Sequence, residues 1–148
     1  MIKEAEIKIS SVIESLDESG LSSGDTEKSE STHAGYYRIS DGTASVTYTE
    51  ESEGAKIFSE VRVFPDGSVS VSRTGALESS FLFEEGAVHT SLYKVPPYTF
   101  DAEIRTRKIR SALSEQGGTL ELIYNMKIGG AVRATRMKIW ISTNSRQN

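Results

Sequence analysis

The chain has no cysteine and only 3 prolines among its 148 residues. Without thiols it can form neither disulfide bonds nor thiolate metal centres, and a cysteine nucleophile is excluded. Positive charge is not in excess either, because 17 Lys and Arg residues stand against 21 Asp and Glu residues, a formal net charge of −4. The chain therefore lacks the general cationic field that holds nucleic acid or an anionic membrane. It also lacks the apolar run of a signal peptide and any stretch of transmembrane length, so we expect a cytoplasmic protein with no membrane contact.

What the sequence has in abundance is β-strand pattern, interrupted from residue 43 to residue 142 by regularly spaced turn signals. The segments between the turns are rich in Val, Ile, Thr, Tyr and Phe, which favour strands. The most regular alternation is in Ser68–Thr74, where Val69, Val71 and Arg73 share one face. The turn signals are Asp41-Gly42, Glu53-Gly54, Pro65-Asp66-Gly67, Thr74-Gly75, Glu85-Gly86, Pro96-Pro97, Gly117-Gly118 and Gly129-Gly130.

Short strands joined by tight turns predict a single all-β domain over residues 1–148. Because nearly every strand has one apolar face, the sheet has to close or fold over to bury that face. Closure also removes exposed sheet edges. We therefore predict an antiparallel up-and-down β-barrel of about ten strands, with a two-sheet sandwich as the second choice. No significant helix is expected, and Lys108–Gln116 is the one stretch in which a helical turn or two could form.

Two segments depart from the strand pattern. Glu14–Thr32 is dominated by Ser, Glu, Asp and Gly, so a flexible polar loop is predicted over residues 14–32. Loops of this length in compact domains are usually functional or disordered. The polar residues 143–148 are expected to form a frayed tail.

Several short motifs keep a characteristic order along the chain. They are Tyr48-x-Glu50, Arg73-x-Gly75, Phe83-x-x-Gly86, Tyr93-x-x-Pro96 and Thr119-x-Glu121-x-Ile123-Tyr124-Asn125-Met126. In this order and spacing, over residues 34–142, the chain resembles the YwiB-like family of uncharacterised bacterial proteins. The resemblance implies a calycin-type, lipocalin-like β-barrel. It implies no activity and no catalytic residues, and the long Ser- and Glu-rich segment before His33 departs from the family pattern.

Counting strands in a meander places a candidate site at one end of the barrel. All odd-numbered strands end at the same rim, the upper rim, which also collects the 14–32 segment and Pro96-Pro97. Glu50 and Arg73 interrupt the apolar faces of strands three and five near this rim. Arg73 is therefore a candidate anchor for the carboxylate or phosphate of a small ligand, with Glu50 beside it. The alternative is a structural ion pair between Arg73 and Glu50.

Tyrosines and histidines supply the remaining candidates inside the barrel. Four tyrosines could line a ligand pocket, or they could be core residues whose hydroxyls bind backbone groups: Tyr48, Tyr93, Tyr98 and Tyr124. His33 and His89 have no metal-ligand spacing, and no nucleophile elbow, P-loop or dinucleotide motif occurs. We predict no catalytic residues, no metal site, no cofactor and no enzymatic activity.

A basic cluster forms the last candidate surface. Its residues are Arg105, Arg107, Lys108 and Arg110 on strand eight and Arg133, Arg136 and Lys138 on strand ten, with Trp140 nearby. Nucleic-acid binding here is the less favoured alternative, because acidic neighbours can pair with these charges and the net charge is negative. The favoured function is non-enzymatic binding of a small amphipathic or anionic ligand at the upper rim. The competing hypothesis is a protein-interaction module with a solid barrel core, for which a protein partner is expected.

Overall fold

Ten strands follow one another in the computed structural model, which describes residues 2–143 apart from the side chain of Ser52. They are β1 (Lys3–Leu16), β2 (Ser22–Ser40), β3 (Thr43–Ser52), β4 (Ala55–Val63), β5 (Val69–Gly75), β6 (Glu78–Phe83), β7 (Val88–Val95), β8 (Tyr98–Ser114), β9 (Gly117–Ile128) and β10 (Ala131–Thr143). Residues 144–148, most of the predicted tail, lie outside the described part of the chain, whereas Thr143 pairs with Ala5. No helix capable of crossing a bilayer occurs among the described residues.

The strands form one closed barrel in the order β1-β10-β9-β8-β7-β6-β5-β4-β3-β2, with neighbouring strands antiparallel. The predicted all-β up-and-down barrel is confirmed, and the sandwich is wrong. The helical turn proposed for Lys108–Gln116 is also wrong, because β8 continues to Ser114, which pairs with Gly117 of β9. In this ladder the backbone groups of β8 are satisfied by the neighbouring strand, so nothing favours a helix there.

The interior of the barrel is a continuous apolar core. Alternation along each strand turns one set of side chains inward, and that set packs into a single cluster. Its largest fully buried members include Tyr37, Phe83, Ile7, Ile104, Leu120, Leu122 and Ile139. Burying one aliphatic side chain of this size contributes about 1.5–3 kcal/mol, so the filled interior is the main support of the fold.

A β-bulge at Arg107 changes which residues of β8 face inward. The register with β9 shifts between Thr106 and Lys108. Ile104 and Thr106 are buried before the bulge, and the partly buried Ile109 packs against the core after it. Simple alternation along the strand does not predict this switch, because a bulge inserts one unpaired residue.

The flexible polar loop predicted over residues 14–32 is wrong. β1 and β2 remain paired up to Leu16 opposite Ser22, so the connection is confined to residues 17–21. Pairing with the Ile- and Val-containing β1 overrides the weak strand propensity of the Ser- and Glu-rich segment. The segment is therefore one arm of a long hairpin.

Asp17 organises the short turn of this hairpin. Its Oδ1 accepts hydrogen bonds from the backbone N–H of Ser19 at 2.9 Å and from that of Leu21 at 3.0 Å. These bonds lower the pKa of Asp17, with the side-chain hydroxyl of Ser19 making the largest contribution. A side chain that binds backbone groups two and four residues ahead is typical of Asp in turns.

The upper end of the barrel, where the turn after β1 lies, is uneven. β3 pairs with β2 only over Gly35–Ser40 and separates from it beyond Tyr48, so residues 22–34 of β2 have no paired strand on that edge. β10 accompanies β1 as far as Val132 opposite Leu16, and β9 accompanies β10 in turn. The upper parts of β1, β2, β9 and β10 therefore form a tall wall that faces the shorter strands β3 to β6.

Candidate functional site at the barrel mouth

Arg73 and Glu50 lie together at the upper end of the short strands. The Nη2 atom of Arg73 is 3.4 Å from Oε2 of Glu50. Ser59, which pairs with Arg73 across the β4–β5 ladder, donates its hydroxyl to the same carboxylate oxygen at 3.1 Å. The side chains of Arg73 and Glu50 are 35% and 25% exposed, so both remain within reach of solvent. The order and direction of the strands predicted that Glu50 and Arg73 lie at the same rim, and the two side chains are in contact. Their part in ligand binding stays a prediction.

The guanidinium of Arg73 is incompletely matched. Its buried Nε makes no hydrogen bond within the described residues. The same is true of the buried Oγ of Ser79, which lies opposite Arg73 in the β5–β6 register. Leaving a buried donor without a partner costs about 1–3 kcal/mol. Both groups therefore keep an unused capacity to donate a hydrogen bond to a carboxylate or phosphate oxygen.

Ser79 belongs to a seam in the barrel wall that the sequence did not reveal. β6 and β7 are in register only at Glu78 opposite Lys94 and at Ser79 opposite Tyr93. An open groove of about 570 Å³ runs beside these residues and is lined by both Arg73 and Ser79. One serine among many strand serines carries no pattern that marks it, so neither the seam nor Ser79 was predictable.

Tyr48 lies on the same inward face as Glu50 and is buried. Its ring stacks on that of His33 with 5.0 Å between centroids, at the point where β2 and β3 separate. Burial raises the pKa of the Tyr48 hydroxyl, the charge of Glu50 adds to the rise, and Arg73 and Ser59 oppose it. Tyr48 therefore lies in the electrostatic field of the ion pair.

Tyr124 is also buried, and it packs edge-on against Phe83 with 4.7 Å between ring centroids. Burial raises the pKa of Tyr124 to about 12, against the opposing effects of the charge of Arg73 and a hydrogen bond with Thr135. These contacts make Tyr124 a core residue whose hydroxyl end is near Arg73.

Tyr93 is half-buried and packs against Phe81 at the β6–β7 seam, with 6.0 Å between ring centroids. It offers partly exposed aromatic surface close to Ser79, its register partner. The four predicted tyrosines therefore differ: Tyr48 and Tyr124 are part of the core, Tyr93 lies at its margin, and Tyr98 is exposed.

The basic cluster is divided between the two faces of the sheet. Arg133 shares its strand face with buried Thr135 and so belongs to the inner side of the tall wall. The cluster residues on the outer face are Arg105, Arg107, Lys108, Arg110, Arg136 and Lys138. Arg110 is 3.5 Å from Glu121, and Lys138 lies over the Trp140 ring at 5.1 Å.

The two histidines make different contacts at opposite ends of the barrel. The Nε2 of His33 is 2.9 Å from the Ser31 hydroxyl, and the Nε2 of His89 is 3.0 Å from a carboxylate oxygen of Glu84. Within residues 2–143, no three His, Asp or Glu side chains are grouped so that they could hold a metal ion. What the mouth offers a ligand is a guanidinium, a carboxylate and hydroxyl groups, a set suited to recognising an anion.

A closed antiparallel barrel of ten strands, with a filled interior and a polar mouth, defines the structural class of this protein. Within that class, the chain belongs to the family described as "Domain of unknown function (DUF1934)", which matches residues 7–139. It is 29% identical over 106 residues to the "Uncharacterized beta-barrel protein YwiB" of Bacillus subtilis (strain 168). The aligned region covers 72% of this chain and 74% of that protein.

The likeness extends to a solved structure. The crystal structure of the ywiB protein from Bacillus subtilis superposes with a TM-score of 0.84 at 26% identity, and the match covers 97% of this chain and 94% of that one. The resemblance to the YwiB-like family is therefore confirmed, together with the barrel fold.

Proposed function

We propose that this chain is a non-catalytic, cytoplasmic binding protein that takes a small anionic or amphipathic ligand at its upper mouth. Arg73 anchors the carboxylate or phosphate of the ligand, and Ser79 donates a second hydrogen bond. The observation that carries the proposal is the buried Nε of Arg73, which has no acceptor within the described residues, beside the equally unpartnered Oγ of Ser79.

Packing of the interior determines where such a ligand would lie. A lipocalin-like barrel, which the family resemblance implies, holds its ligand inside. Here the inward side chains pack into one buried cluster, so we propose that the ligand lies above the core, with its anionic group on Arg73. Partly buried Tyr93, Met126 and Ile128 pack at the margin of the core and would cover an apolar portion. This mixture of one cation and apolar surface suits an amphipathic anion.

Glu50 positions the guanidinium of Arg73 without occupying all of its hydrogen-bond donors. Its carboxylate contacts Nη2 of Arg73 at 3.4 Å, and the hydroxyl of Tyr48 also interacts with the guanidinium, so Nε is the donor that stays without a partner among the described residues. The hydroxyl of Ser59 gives Glu50 a second partner, which holds the carboxylate in place. A purely structural pair would be expected to use the guanidinium more completely.

The proposal is tested by calorimetric titration with a panel of alkyl carboxylates and alkyl phosphates of increasing chain length. Arg62→Met is a matched control, because Arg62 forms an ion pair of 3.1 Å with Glu60 on the outer face of β4. We expect the wild type and Arg62→Met to bind equally, and Arg73→Met to bind at least about tenfold more weakly. Ser79→Ala should weaken binding by a smaller factor. Equal binding by Arg73→Met, or no binding by any of the proteins, would contradict the proposal.

A second candidate is a protein-interaction module with a solid core. It is favoured by the filled interior and by two large aromatic side chains on the outer face: Tyr36 and Phe58 are 53% and 55% exposed. Both line a shallow groove together with Thr47 and Thr49. Exposed aromatic rings on a polar strand surface are typical of protein contact sites. A partner captured by the wild type and lost with Tyr36→Ser and Phe58→Ser would support this function.

A further inference from the structure

One long strand edge of the molecule has no neighbour. Residues 22–34 of β2 pair with β1 on one side only, because β3 joins β2 no higher than Gly35. All but His33 of these residues are exposed. A strand edge of this length presents a row of backbone N–H and C=O groups to any strand of suitable sequence.

Part of this edge is regular enough to pair. The β1–β2 register is continuous from Thr26 towards Gly35 and shifts only near the turn, between Glu14 and Leu16. The segment contains no proline and no bulge, two features that prevent a free edge from pairing with another strand, but it does carry charges. Towards its other end, His33 is stacked on Tyr48 where the strands separate, so we confine the available edge to residues 26–32.

The charges on this edge restrict how two copies can pair about a two-fold axis. Registers centred on a residue keep the barrel-facing sides of both strands on the same side of the joined sheet, since side chains alternate with period two. Centring on Glu27, Lys28 or Glu30 places that charge opposite its own copy. Centring on Thr26 places Asp25 opposite Glu27 of the partner subunit. All four registers bring like charges together, which destabilises a strand pair.

Centring on Ser29 gives the opposite result. Lys28 then lies opposite the partner's Glu30, and Glu30 lies opposite the partner's Lys28. Thr26 lies opposite the partner's Thr32, a pair whose hydroxyls can hydrogen-bond. No like charges face each other within residues 26–32, so the strand is complementary to itself in this register.

We propose that the protein forms a symmetric homodimer through antiparallel pairing of residues 26–32 of β2, centred on Ser29. The second copy is the occupant of the edge because its own sequence supplies the charge complementarity that a foreign strand would need. Two equivalent Lys–Glu pairs are made for each dimer. The interface consists of one short strand pair, so the dimer is expected to be weak and to depend on protein and salt concentration. The inference is independent of the ligand proposed for the mouth.

The test uses the intact protein in sedimentation-velocity experiments over a range of protein and salt concentrations. Lys28→Glu and Glu30→Lys each replace both attractive pairs by repulsive ones, so each variant alone should dimerise about tenfold more weakly than the wild type. An equimolar mixture of the two variants should restore dimers, because every cross-strand pair is then attractive. The double variant, Lys28→Glu with Glu30→Lys, should also dimerise like the wild type.

Lys108→Glu is the matched control, since it makes the same charge change on exposed β8 without touching the β2 edge. It should leave the dimer unchanged. Circular dichroism and thermal unfolding of each variant confirm that the hairpin still folds. A wild type that stays monomeric at every concentration would overturn the proposal, and the charges would then act as protection of a free edge. Single variants that dimerise as well as the wild type would equally overturn it.

Discussion

Replacing Arg73 by methionine distinguishes an anchor for a ligand from a support of the fold. At 3.4 Å, the gross attraction between Arg73 and Glu50 is about 5 kcal/mol at an effective dielectric constant of about 20. Because the two side chains are 35% and 25% exposed, solvent screens most of this attraction, and we expect a coupling of about 1 kcal/mol. The substitution also removes the unpartnered Nε, whose burial costs about 1–3 kcal/mol. The two effects oppose each other, so Arg73→Met should lower the free energy of unfolding by no more than about 1 kcal/mol.

The measurement is urea unfolding followed by the fluorescence of Trp140, the one tryptophan in the chain. Wild type, Arg73→Met, Glu50→Gln and the double variant form a double-mutant cycle that isolates the coupling between the two side chains. If the pair instead supports the fold, Arg73→Met leaves an uncompensated buried carboxylate and costs about 3–5 kcal/mol. Glu50→Gln would then restore most of that loss. This pattern would refute the reasoning that makes Arg73 available to a ligand.

Three further substitutions test two glycine positions and the core. Gly118→Ala should lower the free energy of unfolding, measured by thermal unfolding, by more than about 3 kcal/mol, because φ is +139° and a Cβ would collide with the carbonyl oxygen of Ala112. Gly67→Ala is the control, because Gly67 has φ +92° but open space around it, and it should cost about 1 kcal/mol. Similar losses of stability in the two variants would contradict the argument. Tyr124 has its pKa raised by burial from 10.0 to about 12, so its contribution to stability is complete below pH 10 and falls by about 2–3 kcal/mol as the pH rises to 12. Urea unfolding of Tyr124→Phe should show a smaller loss over this range, and an unchanged pH profile would contradict the assignment.

Much of the barrel was predictable because it follows from local rules. Period-two alternation in β3 and β5 identifies the inward faces, and the Gly-containing turns mark where strands end. Strand direction in a meander then brings Glu50 and Arg73 to the same end without knowledge of any distance. In the register, Ser59 of β4 lies opposite both Tyr48 and Arg73, and Glu50 lies two residues beyond Tyr48 on the same face, so its carboxylate reaches Arg73 diagonally at 3.4 Å.

The predictions of a loop over residues 14–32 and of a helical turn after residue 108 were wrong because the pairing strand decides the structure of both segments. Residues 22–32 are poor strand formers in isolation, and they are strands because β1 lies beside them. Residues 108–114 were ambiguous because the bulge at Arg107 reverses the phase of alternation, and a bulge leaves no mark in a single sequence. Both cases depend on contacts between distant parts of the chain, which local pattern does not contain.

The long β1–β2 hairpin changes the shape of the upper rim from the one that the sequence predicted. If residues 14–32 were a loop, the upper end would consist of the connections between strands, covered by a flexible segment. Instead, the tall wall stands on one side and the short strands end on the other, so the mouth is open towards β3 to β6. Arg73 and Glu50 lie on that open side, and the half-buried apolar residues of β9 lie on the wall opposite. A ligand entering there would meet charge on one side and apolar surface on the other, which is why we propose an amphipathic anion over a purely polar one.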